Sequence, residues 1–489
     1  MVYMQKRMTA AILSVFIMIG LAAAGCSQAA TSGESAERVL RIAVYQYGSD
    51  DEWFRQQYTD LFEFANPGVT VEIVPAVEYN PYAMDGGSQG GGDRNDPAAV
   101  MTKLIQSDNP PDVVMMEYAI LPSLVEENLL LPLDSYIAKD RVDLSRFVPA
   151  VQSSLKQASQ DGRLYALAPQ FSSSALFYNR ELFDRLGVAY PKDHMTWDEL
   201  FALARQVSQV AAEVSAAGSA RTYGFSFSTY KDSDPYWDME PFTQPLQLYR
   251  YDEAGDRMTV NTEEWESVWS TFADLRRTNV IPGSPQPDEN GMNRMWDPIA
   301  DDYFLSGNVA MVLASSYYVN ELESVRKAAE TNTALVPVSW NVVTQPVHPE
   351  APEVGSRVDL IGLMGIGAKA QNPDDAWEFI KFIHGGRWAK LKSGSQNVFS
   401  TLAEYNKPRG GADYNISAFM QLKPAYTRDE SNLYRKYPDL FSVEKIGRNK
   451  FQEVLEGKKA ARQALQEWQT EGDAMLERMR ESMKQAMME

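Results

Sequence analysis

A strand, a helix and a second strand follow one another directly near the start of this chain, and that order commits it to an α/β architecture. Residues 39–45 (VLRIAVY) read as the first strand. Residues 51–65 place Trp53, Phe54, Tyr58, Leu61 and Phe62 at helical spacing. Residues 69–74 (VTVEIV) alternate as a second strand. Parallel strands need such a crossover between them, so the pattern predicts a parallel sheet with helices on its faces. A helix over 98–106 and a strand over 111–115 continue it. Between them, residues 86–96 (GGSQGGGDRND) lack the Gly-Lys-Ser/Thr ending of a phosphate-gripping loop and read as a surface insertion.

Cys26 is the only cysteine in 489 residues. With no second cysteine there is no disulfide, so the fold must hold by packing. Upstream lie Lys6 and Arg7, an apolar run over 10–24, and Ala23-Ala24-Gly25. That run, about 15 residues, is shorter than the roughly 20 a membrane-spanning helix needs, which makes 1–25 a signal peptide. Small residues before the cysteine resemble the lipobox of bacterial lipoproteins, with Ala23 in place of the usual Leu. Cys26 is then the lipidated (palmitate-bearing) N-terminus, and the small polar residues 26–37 are a flexible tether.

The chain carries a net charge of −20, or −22 once the leader's Lys6 and Arg7 are gone. A nucleic-acid binder needs a basic surface, so that class is excluded. Adsorption to an anionic lipid surface is disfavoured as well, which leaves anchoring to the lipid. Ten Trp, 24 Tyr and 20 Phe are more aromatics than a core demands, enough for some to line a cleft that receives a sugar.

Three helices are legible, two from their starts and one from its apolar stripe. Thr196-Trp-Asp-Glu199 is a capping box that opens a helix to about residue 217. Asn372-Pro-Asp-Asp375 predicts a cap at Asn372, with Ala376, Trp377, Phe379, Ile380 and Ile383 buried behind it. The last 30 or so residues form an amphipathic helix with Ala461, Leu465, Trp468, Met475, Met479 and Met483 on its packing face.

Several motifs, taken in order, resemble the extracellular solute-binding proteins of bacterial ABC importers, in the sugar-binding, maltose-binding-protein-like branch. Leu131-Pro-Leu-Asp134 with Tyr136 is one of them. Another is Asp161-Gly-Arg-Leu-Tyr-Ala-Leu-Ala-Pro169, followed by Leu176-Phe-Tyr-Asn179, Glu181-Leu-Phe183, Gly187, Pro191 and Thr196-Trp-Asp-Glu199. Phe304-Leu-Ser-Gly-Asn-Val-Ala-Met311 and Ile366-Gly-Ala-Lys-Ala-Gln-Asn-Pro373 complete the series.

The resemblance implies a type II periplasmic-binding-protein-like fold: two α/β lobes joined by hinge strands, with the ligand between them. Lobe I is expected over 38–172 and 364–407, and lobe II over 173–363 and 408–489. Crossings are expected near 172–175, near 361–364 and after Leu402. A carbohydrate ligand, permease subunits of an ABC importer and a lipid-anchored site on the outer face of a cell membrane are implied. The anchor and long tether favour a Gram-positive surface.

Ligands of such sheets bind beyond the carboxyl ends of strands. That rule selects Gln46 and Tyr47 after the first strand, and Glu117 and Tyr118 after the third. The resemblance adds Ser172 at the first crossing and Tyr317, with Tyr318 as its neighbour, beyond Met311. It also adds Phe242 in Glu240-Pro-Phe-Thr243, with Tyr236 and Trp237 just upstream. Arg357 and Asp359 precede the second crossing and suit vicinal hydroxyls or an acidic sugar, or else satisfy each other.

The rival reading is a lipid-anchored glycoside hydrolase, which needs two carboxylates at fixed separation. Among 66 acidic residues no pair stands out. His194, His348 and His384 form no zinc-binding pattern, no Gly-x-Ser-x-Gly elbow occurs, and nothing calls for a cofactor. A binding protein without catalysis is the expectation.

Overall fold

The computed structural model describes residues 38–45, 51–77, 97–159, 161–216, 220–283, 297–394, 398–408, 412–426, 428, 431–437 and 439–486. The leader, Cys26, the tether, the glycine-rich insertion, Gln46 and Tyr47 lie outside these residues.

The strand–helix–strand opening builds the first sheet. β1 (Arg38–Val44) pairs in parallel with β2 (Val69–Pro75) and with β3 (Val113–Met116). β4 (Leu130–Leu131) and β5 (Ala166–Leu167) both join a late strand, β12 (Leu363–Gly367), which also runs antiparallel to β3. The order is β2-β1-β3-β12-β4, with β5 also on β12. β12 is buried along its whole length, as an interior strand should be. This sheet and its helices form lobe I.

The expected single helix over 51–65 is instead three pieces. Helical residues Glu52–Phe54 run into a π-helical turn, Arg55–Thr59, and then into the helix Asp60–Ala65. The π turn adds a residue to the helical phase, so the apolar positions do not share one stripe. Phe54, Tyr58 and Phe62 are buried, whereas Trp53 is 67% exposed.

Lobe II is built on a sheet ordered β10-β7-β9-β8. Its strands are β7 (Ser174–Asn179), β8 (Tyr223–Ser226), β9 (Val309–Ser315) and β10 (Trp340–Thr344). β7 divides two cores by alternation: Ala175 and Phe177 face one, Leu176 and Tyr178 the other. The helix Trp197–Val214 covers the second face and begins at the predicted capping box, with Thr196 and Glu199 each bonded to the other's backbone amide. Two C-terminal helices, Leu440–Leu455 and Ala461–Ala486, pack on the same face. On the last of these Ala461, Leu465 and Trp468 are buried and Met475 and Met479 partly so, while Met483 is at the surface.

The motif residues of lobe I act as connectors. Asp134 opens the helix Asp134–Asp140 and its carboxylate accepts from the Leu164 amide at 3.1 Å, joining two motifs far apart in sequence. Asn372 stands at the N-cap of the helix Pro373–Ile383, but its side chain does not cap it. Its amide instead donates to the Val39 carbonyl at 3.2 Å, which ties the helix to β1. The five predicted core residues of that helix are all buried.

A third sheet joins the lobes. β6 (Gln170–Ser172) is flanked by β11 (Asp359–Ile361) and β13 (Phe399–Ser400), both antiparallel to it. β6 leads through Ser173 into β7 of lobe II. β11 leads through Gly362 into β12 of lobe I.

Candidate functional site

The joining sheet carries the chain from one lobe to the other, so the candidate site is sought around its strand ends. From lobe I comes Tyr58, whose ring lies parallel to Trp388 with centroids 6.4 Å apart and 9° between planes. Trp53 meets Tyr58 edge-on at 6.3 Å. Tyr317 is the lobe II counterpart: it lies just beyond the end of β9 and is 43% exposed. Burial, reinforced by the nearby Tyr317 phenol, pushes Tyr58 up to about 12. Burial and the Asp359 carboxylate likewise raise Tyr317 above the ordinary phenol value. The backbone sets Tyr317 beside the joining sheet, since the Ser316 amide donates to the Ser173 carbonyl at 2.8 Å.

Asp359 also engages two predicted partners. Ser172 Oγ, buried at the end of β6, lies 3.5 Å from Asp359 Oδ2. Arg357 Nε donates to Asp359 Oδ1 at 2.7 Å, and both side chains of this pair remain more than half exposed. The guanidinium and carboxylate thus satisfy each other at the surface of the joining sheet.

A second group of aromatics lies beyond β3. Glu117 is exposed, and Tyr118 starts the short turn Tyr118–Ile120 with its hydroxyl donated to the Ser154 carbonyl at 2.8 Å. Burial, then the Tyr426 phenol, push Tyr118 up to about 12. Tyr426 is half exposed, and its carbonyl accepts from the Tyr249 hydroxyl at 3.4 Å. The Arg428 guanidinium lies 4.4 Å over the Tyr249 ring. Tyr118 thus has an aromatic neighbourhood contributed by two distant stretches of chain.

Two predicted residues sit elsewhere. Phe242 belongs to an aromatic cluster of lobe II, 5.0 Å from Trp197 and 4.6 Å from His348, and its carbonyl is bonded to His348 Nε2 at 2.7 Å. Tyr318 is 7% exposed, edge-on to Phe177 and bonded through its hydroxyl to Asp302 at 2.9 Å. Tyr318 is a core residue, whereas Phe242 is partly buried against the lobe II core. Trp237 is at the surface, with the Arg250 guanidinium 4.9 Å over its ring and 5.0 Å over that of Tyr236.

Motif reasoning did not select Tyr426 and Tyr249 near Tyr118, nor Tyr58 and Trp388, which are buried in lobe I at 3% and 2% exposure. Among the described residues no group of three His, Cys, Asp or Glu side chains could hold a metal, and no helix is long and apolar enough to cross a membrane.

Known proteins share this architecture. A sugar transporter of Rhizobium etli in an open conformation superposes with a TM-score of 0.61, at 16% identity over 89% of this chain and 99% of that one. The sugar-binding protein MalE of Xanthomonas citri gives 0.58 at 16% identity, over 91% and 99%. These likenesses establish the two-lobed, type II periplasmic-binding-protein-like fold. A putative binding protein of Brucella abortus is 21% identical over 479 residues, 94% of this chain and 98% of that one. The arabinooligosaccharide-binding protein of Bacillus subtilis is 26% identical over 210 residues, 42% of this chain and 43% of its own. The family model described as bacterial extracellular solute-binding protein matches residues 47–385, more than half of the sequence, and the chain belongs to that family.

Proposed function

We propose that this protein captures a sugar or oligosaccharide between its two lobes and delivers it unchanged to the permease of an ABC importer. The observation that carries the reading is the half-exposed Tyr317, held beside the joining sheet by the Ser316 amide bonded to the Ser173 carbonyl, next to the Ser172–Asp359–Arg357 group. A sugar ring has an apolar face that packs on an aromatic ring and hydroxyls that reach carboxylates at the edge. Sugar-binding relatives and neighbours point to the same ligand class.

The proposed ligand set is Gln46, Tyr47, Glu117, Tyr118, Ser172, Trp237, Tyr317, Arg357 and Asp359. The lobes divide as 38–172 with 364–407 and 173–363 with 408–489. Cys26 carries the lipid that holds the protein to the outer face of a cell membrane, which the tether suits best to a Gram-positive envelope.

Calorimetry with arabinotriose and maltotriose tests this reading. Micromolar or tighter affinity, about −8 kcal/mol, is expected for one of them, with the sugar recovered intact by chromatography. Shortened products would move the protein to the hydrolases, and failure of a wider sugar panel to bind would remove carbohydrate as its cargo.

A further inference from the structure

Gly362, the residue that joins β11 to β12, has φ +72°. A Cβ at this position would lie 3.0 Å from the Tyr58 hydroxyl oxygen and 3.3 Å from Pro169 Cγ. The hydroxyl therefore presses into the space that a side chain at the crossing would take. Left-handed backbone is open to glycine at little cost, so Gly362 by itself is a free joint.

Three features hold Tyr58 against that joint. Its ring is packed on Trp388 and on Phe54, at 6.4 and 5.2 Å. Its backbone lies in the π-helical turn Arg55–Thr59, and such turns concentrate at functional positions. One added residue rotates the rest of the helix by about 100° relative to an uninterrupted one. The Tyr317 phenol of lobe II is near enough to act on it electrostatically.

We propose that Tyr58 is a positioning residue. Its hydroxyl braces Gly362, restricts the torsions of the second crossing, and so sets the range of lobe opening from which closure on a ligand begins. Hinge motion in two-lobed proteins is absorbed by a few residues at element ends. Bracing one of them narrows the ligand-free ensemble and reduces what closure must order. The ligand arm of this inference rests on the proposed function, but its ligand-free arm does not.

The test uses the full chain with Cys26→Ala, spin-labelled at Lys103→Cys in lobe I and Ala212→Cys in lobe II, both exposed positions. Interlobe distances are measured by pulsed electron resonance without ligand. Tyr58→Phe keeps the ring and removes the oxygen. It is expected to broaden the distance distribution with little change in melting temperature. Gly362→Ala is expected to shift the mean distance, and adding Tyr58→Phe to it is expected to reverse part of that shift, because the oxygen that the new methyl meets is gone.

With arabinotriose or maltotriose, whichever binds, Tyr58→Phe is expected to speed dissociation roughly 5- to 10-fold, at the lower end of coupling between sites. An unchanged distribution in Tyr58→Phe overturns the proposal. So does a Gly362→Ala shift that is the same size with and without Tyr58→Phe. Should neither sugar bind the parent protein, the carbohydrate reading is what suffers, and the distance measurements still decide the brace.

Discussion

Tyr251 donates its hydroxyl to Glu444 Oε1 at 2.6 Å inside lobe II, and Tyr236 donates to the other oxygen of the same carboxylate. Glu444 is 2% exposed, and the Arg250 guanidinium stands 3.6 Å away. Burial, with the carboxylate adding to it, holds both phenols well above their ordinary value. One acid thus ties the helix Leu440–Leu455 to two points of the loop beneath Trp237. Glu444→Ala is expected to lower stability by about 3–5 kcal/mol, since it strands a buried guanidinium and two phenols. Urea unfolding measures it, and a loss below about 1 kcal/mol would show that the knot is not structural.

Asp238 predicts a pH dependence. Burial, opposed in part by the bond from Ser233 and reinforced by Asp234, raises its carboxyl to about 6. The native state then holds a proton that the unfolded chain has released, so this group's contribution to stability falls as pH rises from about 4 to 6. Asp238→Asn is expected to flatten that decline and to stabilise the protein at pH 7.5 by on the order of 1–3 kcal/mol. Melting temperatures across pH 4–8 check it. Equal slopes in parent and variant would place the titration elsewhere.

Tyr317→Ala separates a cleft tyrosine from a core one. Loss of one stacked contact is expected to cost about 1–3 kcal/mol of binding, a roughly 5- to 150-fold rise in Kd. The ligand-free melting temperature should hardly move, because the ring is already 43% exposed. Tyr318→Ala is the control. With its ring buried and its hydroxyl on Asp302, it is expected to destabilise by about 3 kcal/mol or more. If the two variants exchange behaviour, the register of the site is wrong by one residue.

Cys26→Ala is expected to release the mature protein into the medium. A chain this acidic has no attraction to an anionic lipid surface. Protein retained in the membrane fraction after a high-salt wash would assign the hold to something other than the lipid.

The parts of the fold that are legible in sequence are those set by local rules. The capping box at Thr196 and the buried face of the helix Pro373–Ile383 depend on residues a few positions apart, and the parallel β1–β2 pair on one crossover between consecutive strands. What escapes depends on contacts between distant stretches. Asn372 has the sequence of a cap, yet its amide goes to Val39 O, a partner that no local pattern contains. Phe242 and Tyr318 share their composition with cleft residues, and only the packing around Trp197 and Phe177 places Phe242 against the core and Tyr318 within it. Tyr58 reads as an ordinary helical core position, because a π turn leaves no simple periodic signature.

The place of β12 carries a consequence for how this chain must be exported. Its partners β3, β4 and β5 all end by Leu167, whereas β12 begins at Leu363. Until it arrives, the sheet of lobe I has a gap where its interior strand belongs, with unpaired edges on both sides. The N-terminal part of a secreted chain therefore cannot fold shut while the rest is still being threaded through a membrane. Long-range pairing of this kind slows folding. A chain ending before Leu363 should show no slowly exchanging amides in β3 or β4, and one extending past Gly367 and the next helix should. The order of the strands makes completion of the lobe I sheet a late event in the synthesis of the chain.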